Sequence, residues 1–224
     1  GWIPESDVDV TDAPLVLTQK ALFGFGHVSS YLSMTNLVNS SGVVATDTSG
    51  VGTARSYLAG AGYGIDKAIF AYGTTGSNVS ISNLVSNVGV VGSDVGGVGT
   101  ARYSPGAAGY GEDKAIFAYG ADGSGGNFSM SNLVSNSGVV ATDVSGVGTA
   151  REGLGAAEYG VGLALFAFGG AYSNARNLVN SSGVIASDAT GAGTARNGIA
   201  ATGYGVGLAI FGFGYQGGGT YNAQ

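Results

Sequence analysis

Asn132–Gly148 reads NLVSNSGVVATDVSGVG and runs on through Thr149-Ala150-Arg151 into an Ala/Gly-rich segment and then an apolar strand. The same text recurs as NLVNSSGVVATDTSGVGTAR at Asn36–Arg55, NLVSNVGVVGSDVGGVGTAR at Asn83–Arg102 and NLVNSSGVIASDATGAGTAR at Asn177–Arg196. A unit of this size, made of several short apolar runs, cannot bury its own faces and has to stack on copies of itself. The period is about 47 residues, in the range of repeat arrays, from Lys20 to Lys67 to Lys114, with small local changes on the way to Leu163 and Leu208. The repeats therefore start near 20, 67, 114, 163 and 208 and make residues 1–224 a single domain.

Within one unit the pattern predicts four short strands: Thr53–Tyr63, Lys67–Tyr72, Val79–Ser86 and Gly89–Asp94, called a to d, each bounded by Gly, Ser or Asn. Strand b (Ala68, Ile69, Phe70, Ala71, Tyr72) is apolar on both faces, as a sheet sandwiched between neighbours requires. Four strands per repeat predict an all-β, five-bladed β-propeller of four-stranded blades. Strand b occurs five times, strand d in only four clear copies. Ala13–Thr18 reads as strand a of the first blade, Thr220–Gln224 as strand c of the last, and Trp2–Val10 as the strand that closes the ring, within a closing segment 1–19.

At GVGTAR followed by an Ala/Gly strand, a turn and KAIFAYG, the units resemble the kelch repeat. There too an Arg-led, Ala-rich strand precedes a turn and a strand that ends in paired glycines. The second glycine is mostly missing here, and so is the Trp that kelch blades carry near the end of strand d. Gly-rich units of this style also look like repeats in tail and fibre-associated proteins of bacteriophages. That resemblance implies a virion or adhesive role at an extracellular or virion surface, with other virion proteins as partners.

Composition narrows the function. Charged residues make up 10% of the chain against the ~25% of ordinary domains, the formal net charge is −6, and glycine accounts for 44 residues. Seven of the eight basic residues stand at repeat-equivalent positions, leaving Arg176 aside, so no cationic patch for phosphate is expected, and nucleic acid is not a predicted partner. No apolar run approaches the ~20 residues that span a bilayer, so membrane insertion is not expected either. There is no cysteine, and His27 is the only histidine, which argues against a thiolate or His-based metal site and against any cofactor. The N-terminus is acidic, with neither the basic start nor the apolar run of a signal peptide, and its Gly1 in place of Met suggests processing or trimming, either of which would hide an original targeting signal.

Asp47, Asp94, Asp143 and Asp188 each precede an Arg by eight residues, and the spacing predicts ion pairs joining strand d to the next strand a: Asp94 with Arg102, for example. Repetition in four units marks them as structural, and the Tyr63, Tyr110, Tyr159 and Tyr204 set likewise. Glu152 and Glu158 break the symmetry but stand some ~20 Å apart along one strand, too far for a two-carboxylate glycosidase site. Sequons occur at Asn39, Asn78, Asn127 and Asn180.

The copies disagree most after strand b, where the connections read HVSSYLS, TTGSNVS, ADGSGGNFS, GAYSNA and YQGGGTY. Variable loops on a rigid scaffold are where binding residues collect. The b–c loops are expected on the same face as the d–a connections, bearing Tyr31, Asn78, Asp122, Asn127, Tyr172, Asn174, Tyr215 and Tyr221 as ligand-binding residues. Tyr, Asn and Asp in shallow sites suit a glycan or protein surface. The sequence thus points to a non-catalytic binding module, with a structural subunit of a larger assembly, or a five-bladed glycoside hydrolase, as the alternatives.

Overall fold

The computed structural model describes residues 21–191 and 193–217. Among them every regular element is a strand, and no helix occurs. The first repeat contributes β1 (Ala21–His27) and β2 (Tyr31–Val38). The second contributes β3 (Ala59–Tyr63), β4 (Lys67–Ala71) and β5 (Ser82–Val85), and the third β6 (Gly106–Tyr110), β7 (Lys114–Ala118) and β8 (Ser131–Val134). The fourth holds β9 (Gly155–Tyr159), β10 (Leu163–Ala167), β11 (Ala175–Val179) and β12 (Ala189–Thr190), and the fifth β13 (Ala200–Tyr204) and β14 (Leu208–Gly212). The strands of each repeat pair antiparallel in sequence order, and among the described residues the fourth repeat has all four, in the order β12-β11-β10-β9.

Strands a, c and d are shorter than the sequence pattern predicts; strand c is cut to Ser82–Val85 because Val79 N–H is turned back onto the Gly73 carbonyl, and a and d have local reasons of their own. Strand a begins only at Ala59, because Gly52 and Tyr57 sit at positive φ and the Thr-Ala-Arg between them is drawn into side-chain bonds. Strand d is reduced to the bridges Val85↔Val91 and Ser82↔Val95, whose registers differ by one residue, as across a bulge. The Asn83 amide fills that irregularity, donating to the Gly92 carbonyl at 3.0 Å and to Asp94 Oδ1 at 2.9 Å. The same Asn-to-backbone bond is made by Asn36, Asn132 and Asn177.

Neighbouring sheets stack along their first strands, β3 on β6, β6 on β9 and β9 on β13, and β3 also reaches β7, β6 reaches β10, and β9 reaches β14. Backbone bonds run from repeat to repeat in three lines. Ser104 N–H donates to the Tyr57 carbonyl, Gly153 to Ser104 and Gly198 to Gly153. Gly64 donates to Asp113, Gly111 to Gly162 and Gly160 to Gly207 at the other end of strand a. Gly26, Gly73, Gly120 and Gly169 donate to the carbonyls of Arg55, Arg102, Arg151 and Arg196. Stacking therefore satisfies backbone groups that one meander alone would leave open.

Side chains repeat the same logic. The aromatic at the end of the b segment is left-handed in all five repeats: Tyr72, Tyr119, Phe168 and Phe213 directly after the strand, and Phe25 at the register shift within β1, with φ between 62° and 66°. A bulky residue at positive φ is costly, on the order of 1–3 kcal/mol, and persists where its surroundings fix it. The surroundings are the next repeat: Arg55, Arg102, Arg151 and Arg196 lie over Phe25, Tyr72, Tyr119 and Phe168, the guanidinium carbon 3.8–4.5 Å from each ring centre. Tyr72 and Tyr119 also meet Phe117 and Phe166 of the following strand b edge-on.

The Asp–Arg pairing differs from the sequence expectation. Arg151 reaches Asp188, at 3.8 Å, and not Asp143; the charges acting on Asp94 and Asp143 are likewise Arg55 and Arg102. Arg55, Arg102 and Arg151 are thus each matched with the Asp of their own repeat through an Asn: Arg55 Nη2 donates to Asn83 Oδ1 at 2.7 Å, and Asn83 donates on to Asp94. Thr53 closes the circuit with its backbone N–H and hydroxyl, the latter at 2.6 Å from Asp94 Oδ2. Burial alone would raise the Asp94 carboxyl, but bonds from Thr53 and Asn83 and the Arg55 charge bring it below its usual value.

Packing is not uniform along the array. Ile69 and Ile116 are 0% exposed, whereas Ile210 is 55% exposed; Tyr63 and Tyr110 are at 5% and 3%, Tyr204 at 53%. Phe23 in the first repeat and Phe213 in the last are also exposed. Among the described residues no sheet closes on itself. The proposed closing strand Trp2–Val10, Ala13–Thr18 as strand a, and Thr220–Gln224 lie outside the described residues.

Candidate binding face

The b–c loops and the residues that follow each Arg form one face. Bridges Ser56↔Thr74, Tyr103↔Ala121 and Asn197↔Tyr215 join them in three repeats, and the Gly170 N–H donates to the Glu152 carbonyl in the fourth. This is the face expected from strand alternation. The a–b turns, with Ile65 and Val206 at their tips, occupy the opposite end of the strands.

Several of the residues singled out in the sequence are spent on the scaffold. Asn78 donates to the Ala121 carbonyl of the next repeat at 3.3 Å, and Asn174 to the Gly191 carbonyl at 3.1 Å. Asp122 Oδ1 accepts from the backbone of Ser124 and Gly126, a turn-capping use that holds its own loop. Asn127 pairs through its backbone with Ala121 and stays exposed. Tyr221 lies outside the described residues. Asn39 and Asn180, two of the sequon positions, likewise cap turns: Asn39 Oδ1 accepts from Ser41 and Val43, Asn180 Oδ1 from Ser182 and Val184.

The aromatic residues are brought together. Tyr172 and Tyr215 meet edge-on with ring centres 5.6 Å apart, and Tyr31 packs on His27 at 5.0 Å. Tyr57 and Tyr103, which the reading of the b–c loops did not include, form a third pair at 5.9 Å. They fill the first and second positions after the Arg, where the repeats read Ser56-Tyr57, Tyr103-Ser104, Glu152-Gly153 and Asn197-Gly198. That departure from an otherwise fixed TAR motif was the signal available in the sequence. Tyr57 is 64% exposed and left-handed, φ 53°, where repeats four and five place glycine. Burial, a hydrogen bond with Glu152, and the charges of Glu152 and Asp122 all push the Tyr103 phenol up, so Tyr103 stays a neutral donor beside two carboxylates.

The result is a shallow strip with three aromatic pairs and acceptor carboxylates at its centre. Two crevices elsewhere, of about 100 and 160 Å³, fall below the ~300 Å³ at which small-molecule pockets begin. Glu158 lines the smaller one with Tyr63, Tyr110 and Lys114, and burial raises its carboxyl. It sits at the a–b end of β9, while Glu152 precedes β9 at the other, so the two share no site. No protein-family model and no curated protein matches the chain.

Proposed function

We propose that the chain is a non-catalytic binding module that presents its b–c face to carbohydrate on a cell surface, in the manner of a phage-type virion protein or adhesin. The Tyr57–Tyr103 pair, with Glu152 and Asp122 beside it, carries this reading. Exposed tyrosines offer apolar platforms for pyranose faces, and carboxylates accept from sugar hydroxyls. The net charge of −6 favours neutral over anionic glycans. The virion setting rests on the resemblance of the Gly-rich units alone.

The test borrows residues from the other repeats. Tyr57→Gly/Tyr103→Ser leaves what repeats four and two carry at those positions, so folding is preserved while the platform is lost. With each stacked ring worth ~1 kcal/mol, glycan-array or cell binding should fall about 10–100-fold. Ile65→Ser/Val206→Ser on the opposite face should leave it unchanged; the reverse pattern would sink the proposal.

For the scaffold we propose propeller-type blades stacked by their inner strands. Exposure of Phe23 and Phe213 favours an open fan over the five-bladed ring, which would bury both in one seam. Small-angle scattering distinguishes them: the closed ring has the smaller radius of gyration and maximum dimension, the open fan the larger.

A further inference from the structure

We infer that the exposed face of the fifth repeat, centred on Phe213, is a docking surface for an arginine-led repeat edge supplied from outside these residues. The four preceding interfaces define its chemistry. In each, a left-handed aromatic at the end of the b segment receives a guanidinium from the following Thr-Ala-Arg, and the glycine behind it donates to that Arg carbonyl. Phe213 has the same left-handed backbone, φ 62°, and the same glycine behind it, yet is 61% exposed with no guanidinium over its ring among the described residues.

The rest of the face matches. Tyr204 occupies the slot of Tyr63 and Tyr110, which are buried near Gly138 and Gly183 of the following repeat. Ile210, at 55% exposure, occupies the slot of Ile69 and Ile116, which are completely buried in the second and third repeats. A strained aromatic and a contiguous apolar face are both costs that only a covering partner repays.

No arginine of residues 1–224 is placed to fill this slot. Residues 1–20 contain no arginine, Arg55, Arg102, Arg151 and Arg196 already lie over rings, and Arg176 stands in the middle of β11 without the Thr-Ala before it. A second copy has the same shortage. The occupant is therefore a separate unit with a Thr-Ala-Arg edge followed by a small-residue strand, continuing the existing interface.

The probe is a synthetic hairpin peptide with the sequence of residues 145–169, added to the full chain and followed by NMR or biolayer interferometry. Saturable binding is expected, weakened at least tenfold by Arg151→Gln in the peptide or by Phe213→Ser in the chain, and retained with Phe213→Tyr, since Tyr72 and Tyr119 hold this slot elsewhere. Circular dichroism checks that each chain variant is folded. Absence of saturable binding up to millimolar peptide, or equal binding by the Arg151→Gln peptide, overturns the inference. So does a dimer of the chain alone that Phe213→Ser dissolves, because the occupant would then be a second copy. The glycan face lies at other residues, so its variants should leave peptide binding untouched, and either proposal can fail alone.

Discussion

Arg102→Met is expected to lower the unfolding free energy by roughly 3–5 kcal/mol, the range for removing one partner from a buried charged network. Arg102 is 0% exposed. Its Nη2 donates to Asn132 at 2.7 Å, its Nη1 to the Thr100 carbonyl at 3.1 Å, and its guanidinium covers the Tyr72 ring at 3.8 Å. Methionine keeps the stem but leaves Asn132 Oδ1 without its donor and Asp143 without its charge. Arg196→Met in the last, more open repeat should cost clearly less, because Arg196 is only half-buried and contacts Phe211 at a longer 3.3 Å. Urea denaturation reads both. A double-mutant cycle decides the pairing: Arg102→Met should couple to Asp143→Asn and add independently to Asp94→Asn. The Asp143 carboxyl is held below its usual value, against burial, by Thr100, Asn132 and Arg102. Its contribution is therefore full above the unfolded value near ~4 and lost as pH falls through the lowered folded value. In Arg102→Met that acid-side loss should set in at higher pH. Equal coupling to Asp94 would restore the pairing read from the sequence.

The Asp–Arg pairing has two solutions in the sequence. Asp and Arg recur with one period, so Asp94 is compatible with Arg55 behind it or Arg102 ahead, and eight residues of separation favour the latter on sequence distance alone. Topology reverses the choice: β5 pairs with β4, Asn83 falls opposite Phe70, and its amide reaches from Arg55 to Asp94. The invariant Asn that opens each quoted stretch was the clue. What was legible was whatever periodicity and facial pattern encode: the repeat length, a strand b apolar on both faces, and the tyrosines that end strand a, buried at Tyr63 and Tyr110. The left-handed aromatic was not, because Phe-Ala-Tyr-Gly reads as an ordinary strand end until the ring is seen under the next arginine. In the candidate site, the variable loops share one face with the residues that follow each Arg, but Asn78 and Asn174 among them hold the loops themselves. Tyr57 and Tyr103 stand at different offsets after their arginines and meet only because the repeats stack, which periodicity does not encode.

Tyr119→Ala should be comparably damaging, at roughly 3–5 kcal/mol, and it isolates the aromatic half of the interface. Tyr119 is 0% exposed and sits at φ 65°. Alanine retains the backbone strain and forfeits what offsets it: the Arg151 guanidinium 4.3 Å over the ring, the edge contact with Phe166 at 5.5 Å, and the phenol bond to the Val147 carbonyl at 3.2 Å. Tyr119→Phe removes only that last bond and should cost about 1 kcal/mol, since Phe25 and Phe168 serve in the same slot. Burial, partly countered by Arg151, pushes the Tyr119 phenol up to about 12, and the same holds for Tyr72. Alkaline absorbance titration of Tyr119→Phe should therefore lose one of the late-ionising phenols and keep the early ones. Tyr119→Gly discriminates between strain and stacking. Glycine relieves the left-handed backbone, so Tyr119→Gly should be no less stable than Tyr119→Ala even though glycine is the more flexible residue in the unfolded chain. If Tyr119→Gly proves clearly the less stable of the two, the left-handed conformation carries no strain, and the account of these five aromatics as conformers held in place by the next repeat fails.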